Sequence, residues 1–126
     1  MQRTAAEQLE QILRDVKATI PGVEAVAVIS TEGLTIASVL TPAYDEIRVV
    51  AVTAAMLSMG QTATRELGRT TLDEVYVRSP EGYVVLHPAG SQAAITVFLN
   101  KDAKLGLVFL NLRRAADQIG QILESF

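Results

Sequence analysis

The sequence predicts an α/β layered fold, a five-stranded antiparallel sheet between helices. Two observations predict it. Apolar spacing switches between the 3/4 period of helices and the twofold period of strands, giving the order helix, two strands, helix, three strands, helix (α-β-β-α-β-β-β-α) over 126 residues. The connections between successive strands are short, which makes them antiparallel hairpins, because parallel neighbours need long crossovers. In this order the middle helix covers one face of the sheet and the terminal helices share the other.

Residues 3–19 read as an amphipathic helix with Leu9, Ile12, Leu13, Val16 and Ile20 on one face, stopped by Pro21-Gly22. Residues 23–30 are rich in valine and isoleucine and read as a strand. Thr31-Glu32-Gly33 supplies a tight turn, with Gly33 free to take positive φ, and residues 34–40 return as the second strand. Thr41-Pro42 ends it.

The middle helix is expected over residues 43–67, with Thr41 as cap, Asp45 and Glu46 in the first turn and Gly68 at the C-terminal cap. It carries apolar residues on two sides, whereas a surface helix of a soluble domain carries one apolar stripe. Val49, Val52, Met56, Met59, Ala63 and Leu67 form a bulky stripe, expected to fill space over the sheet. Ile47, Ala51, Ala54, Ala55, Ser58 and Thr62 form a face of mostly small residues, expected to be an interface with a second copy; the alternative is that this face packs on the sheet and the bulky one is exposed. Gly60 lies inside this helix at a cost of about 1 kcal/mol relative to alanine. Close approach of another backbone is one reason for it there, and simple tolerance is the other.

Three strands follow. Residues 72–79 alternate, with Val75 and Val77 on one face and Glu74, Tyr76 and Arg78 on the other. As an edge strand this segment would pair with its twin, making Val75, Tyr76 and Val77 interface candidates; as an interior strand it would not. Pro80-Glu81-Gly82 turns the chain into residues 83–87, Pro88-Ala89-Gly90 breaks that strand, and residues 93–99 form the last one. The final helix, residues 104–124, places Leu105, Val108, Leu112, Ala115, Ala116, Ile119, Ile122 and Leu123 on a core stripe.

The length fits a single domain spanning 1–126, enough to bury roughly two-thirds of its unfolded surface. The hydrophobic fraction of 49% is high for so small a chain and again points to surface buried by association. The longest apolar run contains Arg48 and falls short of the ~20 residues of a membrane span, so no membrane insertion is expected. The N-terminus lacks the apolar core of a signal peptide, and there is no cysteine, so the expected location is cytoplasmic. A net charge of −3 without basic runs argues against nucleic acid as a partner.

No site for chemistry emerges, and the chain is not expected to be an enzyme. His87 is the one histidine, which argues against zinc, and it is expected at a strand end, hydrogen-bonded or facing solvent. Ser79 and Ser91 sit in no nucleophile-elbow pattern. The phosphate-loop spacing of glycines before Gly-Lys-Ser/Thr is missing, so the chain is not itself a P-loop GTPase. Arg48, Arg65, Arg69 and Arg78 lie in or near the expected interface and read as solvated charges or rim ion pairs rather than as an arginine supplied in trans. Arg113-Arg114 reads as a solvated face. No cofactor is implied.

Several pieces, in order, resemble the roadblock/dynein light chain domain family over about residues 5–123. They are Ile20-Pro-Gly-Val-Glu-Ala-Val-Ala-Val-Ile-Ser, the hairpin Thr31-Glu-Gly-Leu-Thr-Ile-Ala-Ser, the helix segment Ala54-Ala-Met-Leu-Ser-Met-Gly, Tyr83-Val-Val-Leu after a glycine turn, and Leu105-Gly-Leu-Val-Phe-Leu-Asn-Leu-Arg-Arg-Ala-Ala. The resemblance implies a roadblock/profilin-like fold. It implies a dimer in which the middle helices pack together and the strand after them pairs with its twin. It also implies a scaffold or regulator of a Ras-like small GTPase, of which some relatives are GTPase-activating proteins without an arginine finger. The sequence stops at Phe126 directly after the last helix, whereas some motility regulators carry a further C-terminal segment that touches the GTPase, so functions that depend on such a tail are not expected. Two other readings remain: a purely structural dimerisation module of a larger complex, and a small-ligand sensor domain.

Overall fold

The computed structural model describes residues 3–125; Met1, Gln2 and Phe126, the outermost residues of the expected 1–126 domain, lie outside the described residues. The elements are α1 (Ala5–Thr19), β1 (Val23–Ser30), β2 (Thr35–Leu40), α2 (Glu46–Glu66), β3 (Val75–Ser79), β4 (Gly82–Ala89), β5 (Ala93–Asn100) and α3 (Leu105–Glu124). Their order is the expected one. The five strands form one sheet in the order β2-β1-β5-β4-β3, antiparallel at every step.

Local chemistry explains the boundaries. Thr4 caps α1 by accepting the Glu7 N–H at 3.2 Å. Gly33 takes φ +87° in the β1–β2 turn, as a tight hairpin requires. The cap of α2 is Asp45, whose carboxylate accepts the Ile47 N–H at 2.9 Å, and not Thr41. The Thr41 carbonyl instead accepts the Tyr44 N–H at 3.0 Å, so the chain makes a turn first and the helix starts three residues later than expected. At its other end the Gly68 N–H donates to the Arg65 carbonyl and the Arg69 N–H to the Thr64 carbonyl, with Gly68 at φ +67°.

Two strand boundaries also differ. β3 starts at Val75 rather than Leu72, because Leu72 packs against α2 beside Gly60 and belongs to the connection. β4 continues through Pro88, which pairs with Ala94 of β5. Proline is tolerated there because β3 begins only at Val75, opposite Leu86, so among the described residues no strand pairs with that side of β4 at Pro88.

The helices divide between the faces as expected. From α1 and α3, Leu9, Leu13, Val16, Leu112 and Ile119 bury against Val26, Val28, Val85 and Val97. On the opposite face α2 runs diagonally. Its Val49 packs with Ala27 and Ile29 of β1, Met56 and Leu57 with Leu86 and Ala94, and Gly60 beneath Val75 and Leu72. A Cβ on Gly60 would sit 2.5 Å from Val75 Cγ2, so the missing side chain admits a neighbour, although a side chain rather than a backbone.

Candidate functional site

The face that α2 turns to the sheet is built by Val49, Thr53, Met56, Leu57 and Gly60. This corrects the expected bulky stripe. Val49 and Met56 are buried, but Val52 is 41%, Met59 72% and Leu67 72% exposed, and Ala63 is exposed as well. The helix is rotated because Thr53 and Gly60, being small, let it lie close to the sheet. The rule that bulky residues go inside missed them; the 3/4 spacing of Thr53, Leu57, Gly60 and Thr64 was the available signal.

Of the candidate interface residues, Ile47, Ala51, Ala55, Ser58 and Thr62 lie exposed on the outer side of α2, while Ala54 is half-buried on its flank. Val75 is half-buried against Gly60, and Tyr76 and Val77 are each about half exposed on β3, an edge of the sheet. Tyr76 points to the α3 face, where its ring meets Phe109 edge-on at 5.7 Å. Among the described residues, the large hydrophobic side chains left exposed concentrate here: Ile47, Val52, Met59 and Leu67 on α2, Tyr76 and Val77 on β3, against Leu34, Leu107 and Leu110 elsewhere. An apolar helix face and an unpaired strand edge therefore lie on adjoining elements of one side of the molecule.

Beside them the sheet is open. The cross-strand row Val77, Val84, Phe98 belongs to the face α2 covers, but it lies beside the helix's diagonal path: Val77 is 52% exposed, and Val84 and Phe98 are only partly buried. A groove of about 180 Å³ lies there, lined by these residues with Tyr44, Glu24 and Glu81. The Tyr44 ring tilts against Phe98 at 5.1 Å, and its hydroxyl donates to Glu24 Oε1 at 3.0 Å. Burial, and then this carboxylate, push the Tyr44 phenol up to about 12. Nothing in the sequence reading singled out this groove. It depends on residues far apart in the chain that only the sheet order brings together.

The remaining candidates fall into ordinary roles. His87 lies within β4, with Nδ1 2.8 Å from the Pro88 carbonyl oxygen. The Ser79 hydroxyl donates to the Gly82 carbonyl at 3.2 Å, and Ser91 is exposed in the β4–β5 turn. Arg48, Arg65, Arg69, Arg113 and Arg114 are exposed, and the guanidinium of Arg78 lies 6.0 Å from the centroid of the Tyr83 ring. Among the described residues no cluster of His, Asp or Glu could hold a metal ion, and no helix is long and apolar enough to cross a membrane.

The chain is 27% identical over 111 residues to an uncharacterized protein of Methanocaldococcus jannaschii, covering 88% of this chain and 96% of that one. Its fold is similar to the gliding protein mglB of Thermus thermophilus, with a TM-score of 0.87 at 17% identity, covering 100% of this chain and 96% of the other. It is also similar to profilin II of Acanthamoeba castellanii, with a TM-score of 0.57 at 19% identity over 89% and 97% of the two chains. The model of the Roadblock/LC7 domain matches residues 9–99, which include the β1–β2 hairpin, α2 and all but the last residue of the β3–β4–β5 meander, and the chain belongs to the Roadblock/LC7 domain family.

Proposed function

We propose that this protein is a dimeric, cytoplasmic regulator or scaffold of a Ras-like small GTPase. One observation carries the reading: among the described residues, the outer side of α2 with its C-terminal cap and the adjoining edge strand β3 hold most of the exposed large apolar side chains. Monomers seldom leave such a patch in water. A second copy packed along Ala51, Ala55, Ser58 and Thr62 covers the helix, because small residues permit close helix contact. Antiparallel pairing of β3 with its twin satisfies the free N–H and C=O groups of the edge. Membership of the Roadblock/LC7 family, a resemblance that implies regulators of Ras-like GTPases, supports a GTPase as the client. Work on that client would be done by shape, by holding its switch segments in one state.

The test is binding of the purified protein to a Ras-like small GTPase of the same organism, once with GDP and once with a GTP analogue. A regulator binds one state more tightly; equal affinity shifts no equilibrium and leaves only the scaffold role. If hydrolysis is stimulated, replacing Arg48, Arg65, Arg69 or Arg78 by alanine is expected to leave the stimulation intact.

A further inference from the structure

We infer that the groove beside the uncovered end of the sheet is a socket for one basic side chain, arginine or lysine, presented by a partner protein. The inference rests on the reading that this side of the molecule meets a partner. At about 180 Å³ the groove is smaller than the ~300–1,000 Å³ of small-molecule sites and has room for a single long side chain. Its chemistry selects which one. Val77, Val84 and Phe98 offer apolar surface to a methylene stem, and the aromatic pair Tyr44–Phe98 offers π faces to a cation.

Glu24 and Glu81 supply the charge, and no lysine or arginine lines the groove to neutralise them. The Tyr44 hydroxyl occupies Oε1 of Glu24 and leaves Oε2 for an incoming donor. Because the Tyr44 phenol is held up to about 12, it remains a donor to Glu24 throughout the physiological range. An acidic side chain would be repelled here, and an aliphatic one would cover both carboxylates without pairing them. A guanidinium or ammonium on a flexible stem satisfies both halves of the groove.

The experiment is an NMR titration of the whole protein with N-acetyl-arginine amide, and in parallel with N-acetyl-norleucine amide. The arginine probe is expected to shift Phe98, Val77 and Val84 saturably at millimolar concentration, and norleucine to bind about fivefold more weakly. Glu24→Gln with Glu81→Gln, both changes at exposed positions that preserve shape, is expected to weaken the arginine probe about fivefold while leaving the spectrum folded. Equal binding of the two probes, or an unchanged affinity in the double variant, overturns the socket. So does a double variant whose oligomeric state changes while the wild type binds no probe, which would assign the groove to contact between copies. With the GTPase itself, the double variant is expected to bind about fivefold more weakly, and undiminished GTPase binding overturns the role of the socket in that complex. Saturable arginine binding by a protein that binds no GTPase supports the socket and removes the GTPase reading.

Discussion

Thr53 and Thr96 carry their hydroxyls into the apolar layer between α2 and the sheet, fully buried and without a hydrogen-bond partner among the described residues. A buried hydroxyl left unpaired costs about 1–3 kcal/mol. Thr96→Val keeps the shape and suits a strand, so it is expected to raise stability by about 1 kcal/mol, read from the denaturant midpoint at unchanged slope. A lower midpoint would mean that the hydroxyl has a partner after all. Gly60→Ala would gain about 1 kcal/mol of helix propensity but forces Val75 aside, and overpacking costs about 1–3 kcal/mol. The net expectation is a loss, recovered in the double variant with Val75→Ala, because the two sites share one contact.

Tyr44 gives a pH signature. Its phenol titrates near 10 when unfolded and at about 12 in the fold, so the folded chain holds its proton more tightly. The stability this contributes is complete below pH 10 and is lost as pH rises toward 12. Ultraviolet titration should show Tyr44 ionising late, at about pH 12. Glu24→Gln should bring it earlier, and Tyr44→Phe should flatten the alkaline fall in stability.

At the level of elements, α2 has two faces with different duties, and substitutions should separate them. Leu57→Ala empties a buried contact with Leu86 and Ala94 and is expected to cost about 2–4 kcal/mol. Ala55→Arg or Ser58→Arg, both on the exposed side, should leave stability within about 0.5 kcal/mol but weaken self-association, seen by sedimentation equilibrium, because the dimer would bury an unpaired charge. A dimer unchanged in both variants would move the interface to another face. Ala54 is a poorer probe than its neighbours, since its half-buried flank position mixes folding with association.

The existence of each element was legible in the sequence because period 2 and period 3.6 are written locally. The rotation of α2 was not, because it depends on how closely Thr53 and Gly60 let the helix approach strands that lie elsewhere in the chain. The continuation of β4 through Pro88 was hidden for a similar reason: only the shortness of β3 makes a proline harmless there. The interface candidates on α2 and β3 could be named from helical spacing, strand alternation and the family resemblance, whereas the groove at Tyr44 and Phe98 needed the sheet order.

For the molecule as a whole, the sheet has two edges, β2 and β3. A twofold pairing at one of them closes a dimer and leaves the other edge open in both copies. With β3 as the self-pairing edge, the melting temperature should rise with protein concentration, and less so in Ser58→Arg. A melting temperature independent of concentration in the wild type would argue for a monomer.

The central position of β5 beside β1 has a consequence for how the domain comes into being. Residues 23–30 find their second neighbour only in residues 93–100, so the innermost seam of the sheet joins distant parts of the chain. Pairings of such sequence separation slow folding, because a long loop must close before they reward it. A chain emerging from the ribosome therefore has its first hairpin and α2 in hand while the seam is still open, with Leu57 lacking Leu86 and Ala94, which bury it, and Ile29 lacking its β5 partner Ala94. The seam closes when the β3–β4–β5 meander brings β5 beside β1, and the window before that moment is when this apolar chain is most exposed to aggregation.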